Sequence, residues 1–335
     1  MKKLYLFLII ILIFTFSCQT AFADVETDFT TIDAHALAAP RSATRSMEAL
    51  AQYLIEPAET DLEKTRAIFR WITENIEYDV GAFFSGRPSS GSPQDTLRSG
   101  RSVCSGYSGL FTELATLAGL EVVSVNGYAK GYGYNQGDTF SSTNHAWNAV
   151  RIDGEWYLLD STWGAGHVNG RRFVRRYNEF YFLTPPEEFI FTHLPTDPQW
   201  QLLDDPLTLN EFENQVYVRP EIFVYGFSAE EVREAASDPG SGSVVRTSDI
   251  FGTPVEIRHA PITGNLETGE EYFFEMYMPD SEGAAVINGG EWVFLEEKDG
   301  VYSGVITANR GDIKLTSRLP GRGNNYYTIL WYQGQ

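Results

Sequence analysis

The sequence predicts a two-part protein, with a first unit of helices followed by strands and then an all-β sandwich of about a hundred residues. Three observations carry this. Between residues 42 and 117 apolar side chains recur at helical spacing. From 120 to 160 the texture turns β-rich, with Asp153-Gly154 separating two strand-like runs. From about 216 onward short strand patterns alternate with Gly and Pro. The length of 335 residues agrees, since one compact core rarely extends so far.

In chain order, residues 24 to 39 carry little signal and read as loop. Met47, Leu50, Ala51 and Leu54 mark a helix over 42–56. A second helix over 61–76 opens on a Thr60/Glu63 capping box and shows Leu62, Ile68, Trp71, Ile72 and Ile76 on its apolar side. Residues 79 to 92 are a Gly, Ser and Pro loop, after which Ser92-Pro93 can begin a short helical turn. Residues 102 to 117 form a helix with Leu110, Phe111, Leu114 and Leu117 apolar and Gly119 placed to end it. A strand over 120–129 follows, then a glycine- and tyrosine-rich loop over 130–143, then the runs 144–152 and 155–160. Residues 165 to 215 resist assignment. In the second unit, strands are expected at 216–225, 254–259, 270–278, 291–297, 301–307, 312–317 and 326–332, with Lys298-Asp299-Gly300 as a tight turn and 238–243 as a flexible loop.

Residues 1 to 23 are set apart from the fold. Lys2 and Lys3 precede an apolar run from Leu4 to Phe16, and Ala21-Phe22-Ala23 is a small-residue cleavage pattern, so a secretory signal cut after Ala23 is expected. A second reading attaches lipid to Cys18, against which the non-aliphatic Thr15 counts. The run is short for a membrane span, and no other segment is long and apolar enough. Loss of the signal removes two lysines and no carboxylate, taking the formal net charge from −20 to −22. Such acidity argues against nucleic-acid and anionic-lipid partners, which need basic surface. The expected location is secreted or periplasmic.

Domain boundaries on this reading are 1–23, 24–215 and 216–335. Outside the leader Cys104 is the single cysteine, in a compartment where disulfides form. It falls in the first turn of the 102–117 helix, where backbone dipoles and free amides favour a thiolate. If Asp153 and Gly154 are the turn residues, Ile152 pairs with Glu155, His145 faces Thr162 and Trp147 faces Asp160. Alternation places all four side chains on one face, with His145 and Asp160 diagonal neighbours within hydrogen-bond reach. A thiolate beside an imidazole oriented by a carboxylate is a nucleophile for acyl groups, and the Cys104 amide could serve a developing oxyanion.

The segments KTRAIFRWITENIEYD, VCSGYSGLFTELATLAGLE, NHAWNAVRIDGEWYLLD and STWGAG, within residues 60–166, resemble the transglutaminase-like superfamily and more narrowly the kyphoscoliosis peptidase group. EFYFLTPPEEFIFTHLPTDPQWQLL is similar to that group's continuation, so the likeness spans about half of the mature chain. The resemblance implies a papain-like α+β core, here followed by an immunoglobulin-like sandwich, and a triad of Cys104 as nucleophile, His145 as base and acid, and Asp160 as orienter. It implies no cofactor. The group includes transglutaminases, peptidases and inactive modules. The expected function is therefore thiol-dependent acyl transfer or hydrolysis on a protein or peptide substrate, including cell-wall-linked peptide. The alternative is a non-catalytic extracellular binding or scaffolding module that retains the fold.

Other residues have plainer readings beside functional ones. Trp147 either walls the acyl site or is a core aromatic, and Gln94 stands upstream of the nucleophile where a papain-type enzyme carries an oxyanion glutamine. Tyr107 and Trp163 read as packing residues, and the 130–143 loop as either a substrate lid or an ordinary loop. His35, His167, His193 and His259 are scattered, with no HExxH or cysteine-pair signature, so no metal site is expected. GYAKGYGYNQG lacks the Lys-Ser/Thr ending of a phosphate-binding loop.

Overall fold

The computed structural model describes residues 27–87, 91–237 and 243–335. The expected signal, its Ala23 cleavage point, Cys18 and most of the 238–243 loop lie outside the described residues. Among those described, no helix is long and apolar enough to cross a membrane.

The first unit is a helical layer on a four-stranded sheet. Its helices are α1 (Thr30–Leu37), α2 (Met47–Leu54), α3 (Asp61–Asn75), α4 (Val80–Ser85), α5 (Pro93–Ser99) and α6 (Cys104–Leu117). The short strands β1 (Glu77–Tyr78) and β2 (Arg101–Ser102) pair in parallel and deliver the chain to α6. Then come β3 (Glu121–Ala129), β4 (His145–Ile152), β5 (Glu155–Leu159), helix α7 (Ser161–Ala165), the hairpin β6 (Gly166–Asn169) and β7 (Arg172–Arg175), helix α8 (Pro186–Phe189) and β8 (His193–Pro195). The sheet runs in the order β5-β4-β3-β8.

Most of the first unit follows the sequence pattern. The α3 capping box is present, Ser92 caps α5, and Asp153 and Gly154 take φ of 51° and 92° to join β4 to β5 with Ile152 opposite Glu155. Two stretches expected as loop are helical. Within 24–39, α1 buries only Ile32 and Ala36, and it is held by the buried Arg66, whose guanidinium donates to both Asp33 oxygens at 2.7 and 2.8 Å. Within 79–92, Asp79 caps the six-residue α4 by accepting from Ala82 N at 2.8 Å. The predicted 42–56 helix begins at Met47, after a turn of 3₁₀ helix at Ala43–Arg45.

The second unit opens with helices α9 (Leu209–Asn214), α10 (Glu221–Val224) and α11 (Ala229–Ser237). The strand expected at 216–225 is therefore wrong: Pro220 starts a helical turn that buries Ile222 and Phe223. Ten strands follow: β9 (Arg246–Thr247), β10 (Glu256–His259), β11 (Asn265–Leu266), β12 (Glu271–Tyr277), β13 (Gly283–Asn288), β14 (Glu291–Phe294), β15 (Glu296–Lys298), β16 (Val301–Thr307), β17 (Gly311–Arg318) and β18 (Tyr326–Gly334). One sheet has the order β10-β12-β16-β15 and the other β11-β18-β17-β13-β14, with β9 on β18; all pairings are antiparallel except β11 with β18. The Ala-rich β13 escaped the sequence pattern, having no alternation to mark it.

Buried apolar residues sort into two cores. One runs from Ile32 to Phe189, the other from Ile190 to Tyr332. Phe191, Leu194 and Phe212 pack with the sandwich, while Trp200 and Leu202 pack against the first core, so residues 190–212 touch both.

Helix α6 is pinned across β4. Ser108 Oγ donates to Trp147 O at 2.9 Å, and the fully buried Asn148 Nδ2 donates to Ser108 O at 3.2 Å and Thr112 Oγ1 at 2.9 Å. On the other side of β3, Gly127 lets β8 close in: a Cβ there would lie 2.1 Å from Leu194 O and 2.5 Å from the Trp147 ring. Gly127→Ala is expected to destabilise the protein by about 1–3 kcal/mol, the usual cost of overpacking, measured as a lowered urea midpoint at unchanged m.

Candidate active site

Alternation of side chains brings three ionisable groups to one end of the central sheet. His145 opens β4 opposite Gly127 of β3, and Gly127 stands opposite Pro195 of β8. His193, two residues before Pro195, therefore shares the face of His145. Strand pairing of β4 with β5 ends at Asn148–Leu159. Asp160 then leaves the ladder to cap α7, so the expected pairs His145–Thr162 and Trp147–Asp160 do not form as strand pairs. The diagonal contact survives: His145 Nε2 is 2.7 Å from Asp160 Oδ2.

Asp160 is fully buried, and both of its oxygens are occupied. Oδ1 accepts from Thr162 N at 2.7 Å and Trp163 N at 3.2 Å, while Oδ2 accepts from His145 and, at 3.2 Å, from His193 Nε2. Burial favours the neutral acid, but the His145 charge and the two imidazole donors overcome it and hold the carboxyl well below its ordinary range. For His145 burial works against charge, and Asp160 together with the Cys104 thiolate outweighs it, raising the imidazole to about 10. With Nε2 engaged by Asp160, Nδ1 is left to meet Cys104.

Cys104 is the first residue of α6, half-buried, behind an N-cap residue, Val103, that makes no side-chain cap. Burial pushes the thiol up. Hydrogen bonding to the His145 ring and its charge, with the Ala146 amide as a further donor, pull it below the ordinary value. Cys104, His145 and Asp160 thus follow one another across three elements, in the order that a thiolate–imidazolium ion pair oriented by a carboxylate would need.

A cleft of about 740 Å³ opens at this end of the sheet. His145, Tyr78, Thr162 and Trp163 stand on its wall; Cys104 lies beside His145 rather than on the wall itself. The 130–143 loop supplies another side and is tied down rather than free. Lys130 Nζ donates to Gln215 O at 3.1 Å and Phe140 N to Glu213 Oε1 at 2.6 Å. Tyr78 keeps a neutral hydroxyl there, since burial and the Cys104 charge both push its ionisation up.

Two expected binding residues are not in the cleft. Trp147 is 1% exposed and packs beneath His145, Phe189 and His193 as a core aromatic. Gln94 is exposed on the second residue of α5 and is not among the residues lining the cleft. Trp163, read as packing, is a wall of the cleft with its ring 5.2 Å from that of His145. His193 was missed as a member of the site: only the pairing of β8 with β3, remote in sequence, brings it to Asp160.

His145, Asp160 and His193 are a set of metal-ligand type, with donor atoms within 4.8 Å of one another. Two ligands of one tetrahedral zinc at ~2.0–2.1 Å stand about 3.3 Å apart. The 2.7 Å between Oδ2 and His145 Nε2 is closer, the length of a charge-assisted hydrogen bond. The arrangement fits protons, not an ion.

The pKa directions set a pH window. The ion pair exists above the lowered value of Cys104 and is lost as pH climbs through about 10, where His145 gives up its proton. Iodoacetamide is expected to alkylate Cys104 at pH 7 faster than a free cysteine, and Asp160→Asn, which keeps the shape but not the charge, to slow that rate about tenfold or more.

Residues 48–161 match the model of the Transglutaminase-like superfamily. The chain is 44% identical over 188 residues to Kyphoscoliosis peptidase of Homo sapiens, covering 55% of this chain and 28% of that protein. It is 46% identical over 176 residues to Kyphoscoliosis peptidase of Mus musculus (52% and 27%), and 34% identical over 245 residues to Hillarin of Drosophila melanogaster (69% and 29%). The chain thus spans less than a third of the length of these relatives. The first unit of this protein is accordingly built on a domain of the transglutaminase-like superfamily.

Proposed function

We propose that the protein is an exported thiol-dependent acyltransferase or peptidase acting on peptide or glutamine-type amides. The observation that carries this is the Cys104–His145–Asp160 chain, with its sulfur at the first turn of a 14-residue helix and its imidazole on the wall of a cleft. In the forward step the Cys104 thiolate attacks the amide carbonyl carbon, and the C–N bond breaks as His145 gives its proton to the departing amine. This leaves a thioester and a neutral imidazole. Water or a primary amine then attacks the thioester, His145 takes its proton, and the sulfur leaves as thiolate. Asp160 holds the imidazole edge-on throughout and keeps its charge. The amides at the start of α6 and the neutral hydroxyl of Tyr78 are the donors available to the oxyanion.

Export rests on the leader-like residues 1–23, with lipid attachment at Cys18 as the other reading of the same segment. In that location the substrate class is protein or peptide, cell-wall-linked peptide included. The human and mouse relatives are named as a peptidase, which favours water as the second nucleophile.

Incubation with a glutamine-peptide library and a labelled primary amine tests the reading. Shortened peptides, lost in Cys104→Ala and His145→Ala, are the expected result. Amine incorporation with the same dependence would assign transamidation instead. Alkylation of Cys104 no faster than a free thiol, and unchanged in His145→Ala, would leave a binding module in place of an enzyme.

A further inference from the structure

A second imidazole occupies the site, and the triad does not use it. His193 is 1% exposed and opens β8. Its Nε2 is 3.2 Å from Asp160 Oδ2, the same oxygen that His145 uses, and its Nδ1 is 2.8 Å from Thr192 Oγ1. The ring stacks on Phe189 with centroids 4.0 Å apart, meets Trp147 edge-on at 5.1 Å and lies tilted against Trp163 at 4.4 Å. We propose that His193 is a positioning residue for the triad: its Nε2–H is a second donor to Asp160 Oδ2, and by sharing that oxygen it limits how strongly the carboxylate draws on His145.

The tautomer follows from the partners. A carboxylate can only accept, so the Nε2 proton sits between His193 and Asp160, and Nδ1 accepts from the Thr192 hydroxyl. Burial brings His193 down to about 4 despite Asp160, so the ring is neutral through the working range. The other ionisable groups around the cluster are Cys104, Tyr78, Tyr107 and Tyr181, and burial keeps the three phenols protonated. His193 therefore contributes one fixed, uncharged donor.

That donor has a chemical consequence under the proposed acyl-transfer reading, on which this inference rests. A carboxylate with every lone-pair site filled is a weaker base than one that serves His145 alone. The weaker pull leaves the imidazolium acidic enough to protonate a departing amine, which a more tightly held proton would delay. Delivery of this donor depends on the sandwich, because the neighbours of His193, Phe191 and Leu194, belong to the second core.

The test is the pH dependence of Cys104 alkylation by iodoacetamide in the full chain. His193→Phe keeps the aromatic packing and removes the donor. It is expected to move the alkaline limb, set by His145, up by about half a pH unit, while the acid limb stays or rises because a stronger Asp160 charge opposes the thiolate. His193→Gln, which returns an N–H at the same reach, is expected to restore the wild-type limbs. A packing role predicts the reverse order, with Phe tolerated and Gln damaging; that order, or an alkaline limb unmoved or lowered in His193→Phe, overturns the proposal. Should His193→Phe not fold, nitrogen-15 spectra of the wild-type imidazoles decide. A neutral, Nε2-protonated His193 from pH 5 to 9 supports it, and a charged or Nδ1-protonated ring refutes it. Failure of the acyl-transfer reading is seen separately, in the wild type, as a Cys104 that titrates like a free thiol.

Discussion

One buried carboxylate holds the site together. Asp160 ends a hairpin, caps α7 through Oδ1 and gathers two imidazoles through Oδ2. A charge without solvent must find its donors inside the protein, and this one has four. Its amide is fixed as well, donating to Tyr181 O at 3.0 Å. Strand β5, helix α7, strand β4 and strand β8 therefore meet at a single group, and loss of any donor would be felt by all of them.

The sulfur reaches this group by a separate route. Helix α6 is tied at its start by Tyr107 Oη, which donates to Ile76 O at 2.7 Å, and along its length by Ser108 and Asn148. Gly106 allows the helix to lie against Ser102, where a Cβ would come within 1.9 Å of the serine hydroxyl. These contacts fix helix against sheet, so the distance between sulfur and imidazole is set by packing and not by the flexible side chains themselves. The second unit contributes from the other edge. Strand β8 adds to the central sheet, yet its Leu194 belongs to the sandwich core.

Much of the candidate site was legible because it is local. Asp153-Gly154 sets the register of β4 against β5, and period-two alternation then places His145 and Asp160 on one face. Cys104 was legible in the first turn of a strongly periodic helix, of which it is the first residue. Where the reading departed from the structure, the reasons are physical. Asp160 leaves the strand because a carboxylate at the end of β5 finds the free amides of α7. Helix α1 buries only Ile32 and Ala36 and so shows no apolar stripe, helix α4 is too short to show a period, and the two are held by Arg66 and Asp79. The alternating apolar residues of 216–225 imitate a strand, but Pro220 turns them into a helix that buries Ile222 and Phe223. Trp147 shares the histidine's face, as alternation requires, yet lies too deep to reach the cleft.

By itself the sequence determined the fold class, the turn that aligns histidine with aspartate, and the position of the cysteine at a helix start. These depend on residues near one another in the chain, where spacing is enough. The tertiary structure alone decided that His193 joins Asp160, that the 130–143 loop is fastened to residues 213–217 as one wall of the cleft, and that residues 190–212 touch both cores. Those depend on pairing between β3 and β8 and on contacts between segments some seventy to eighty-five residues apart. Spacing along the chain carries no trace of such contacts, because what selects them is the burial of surfaces that meet only after folding.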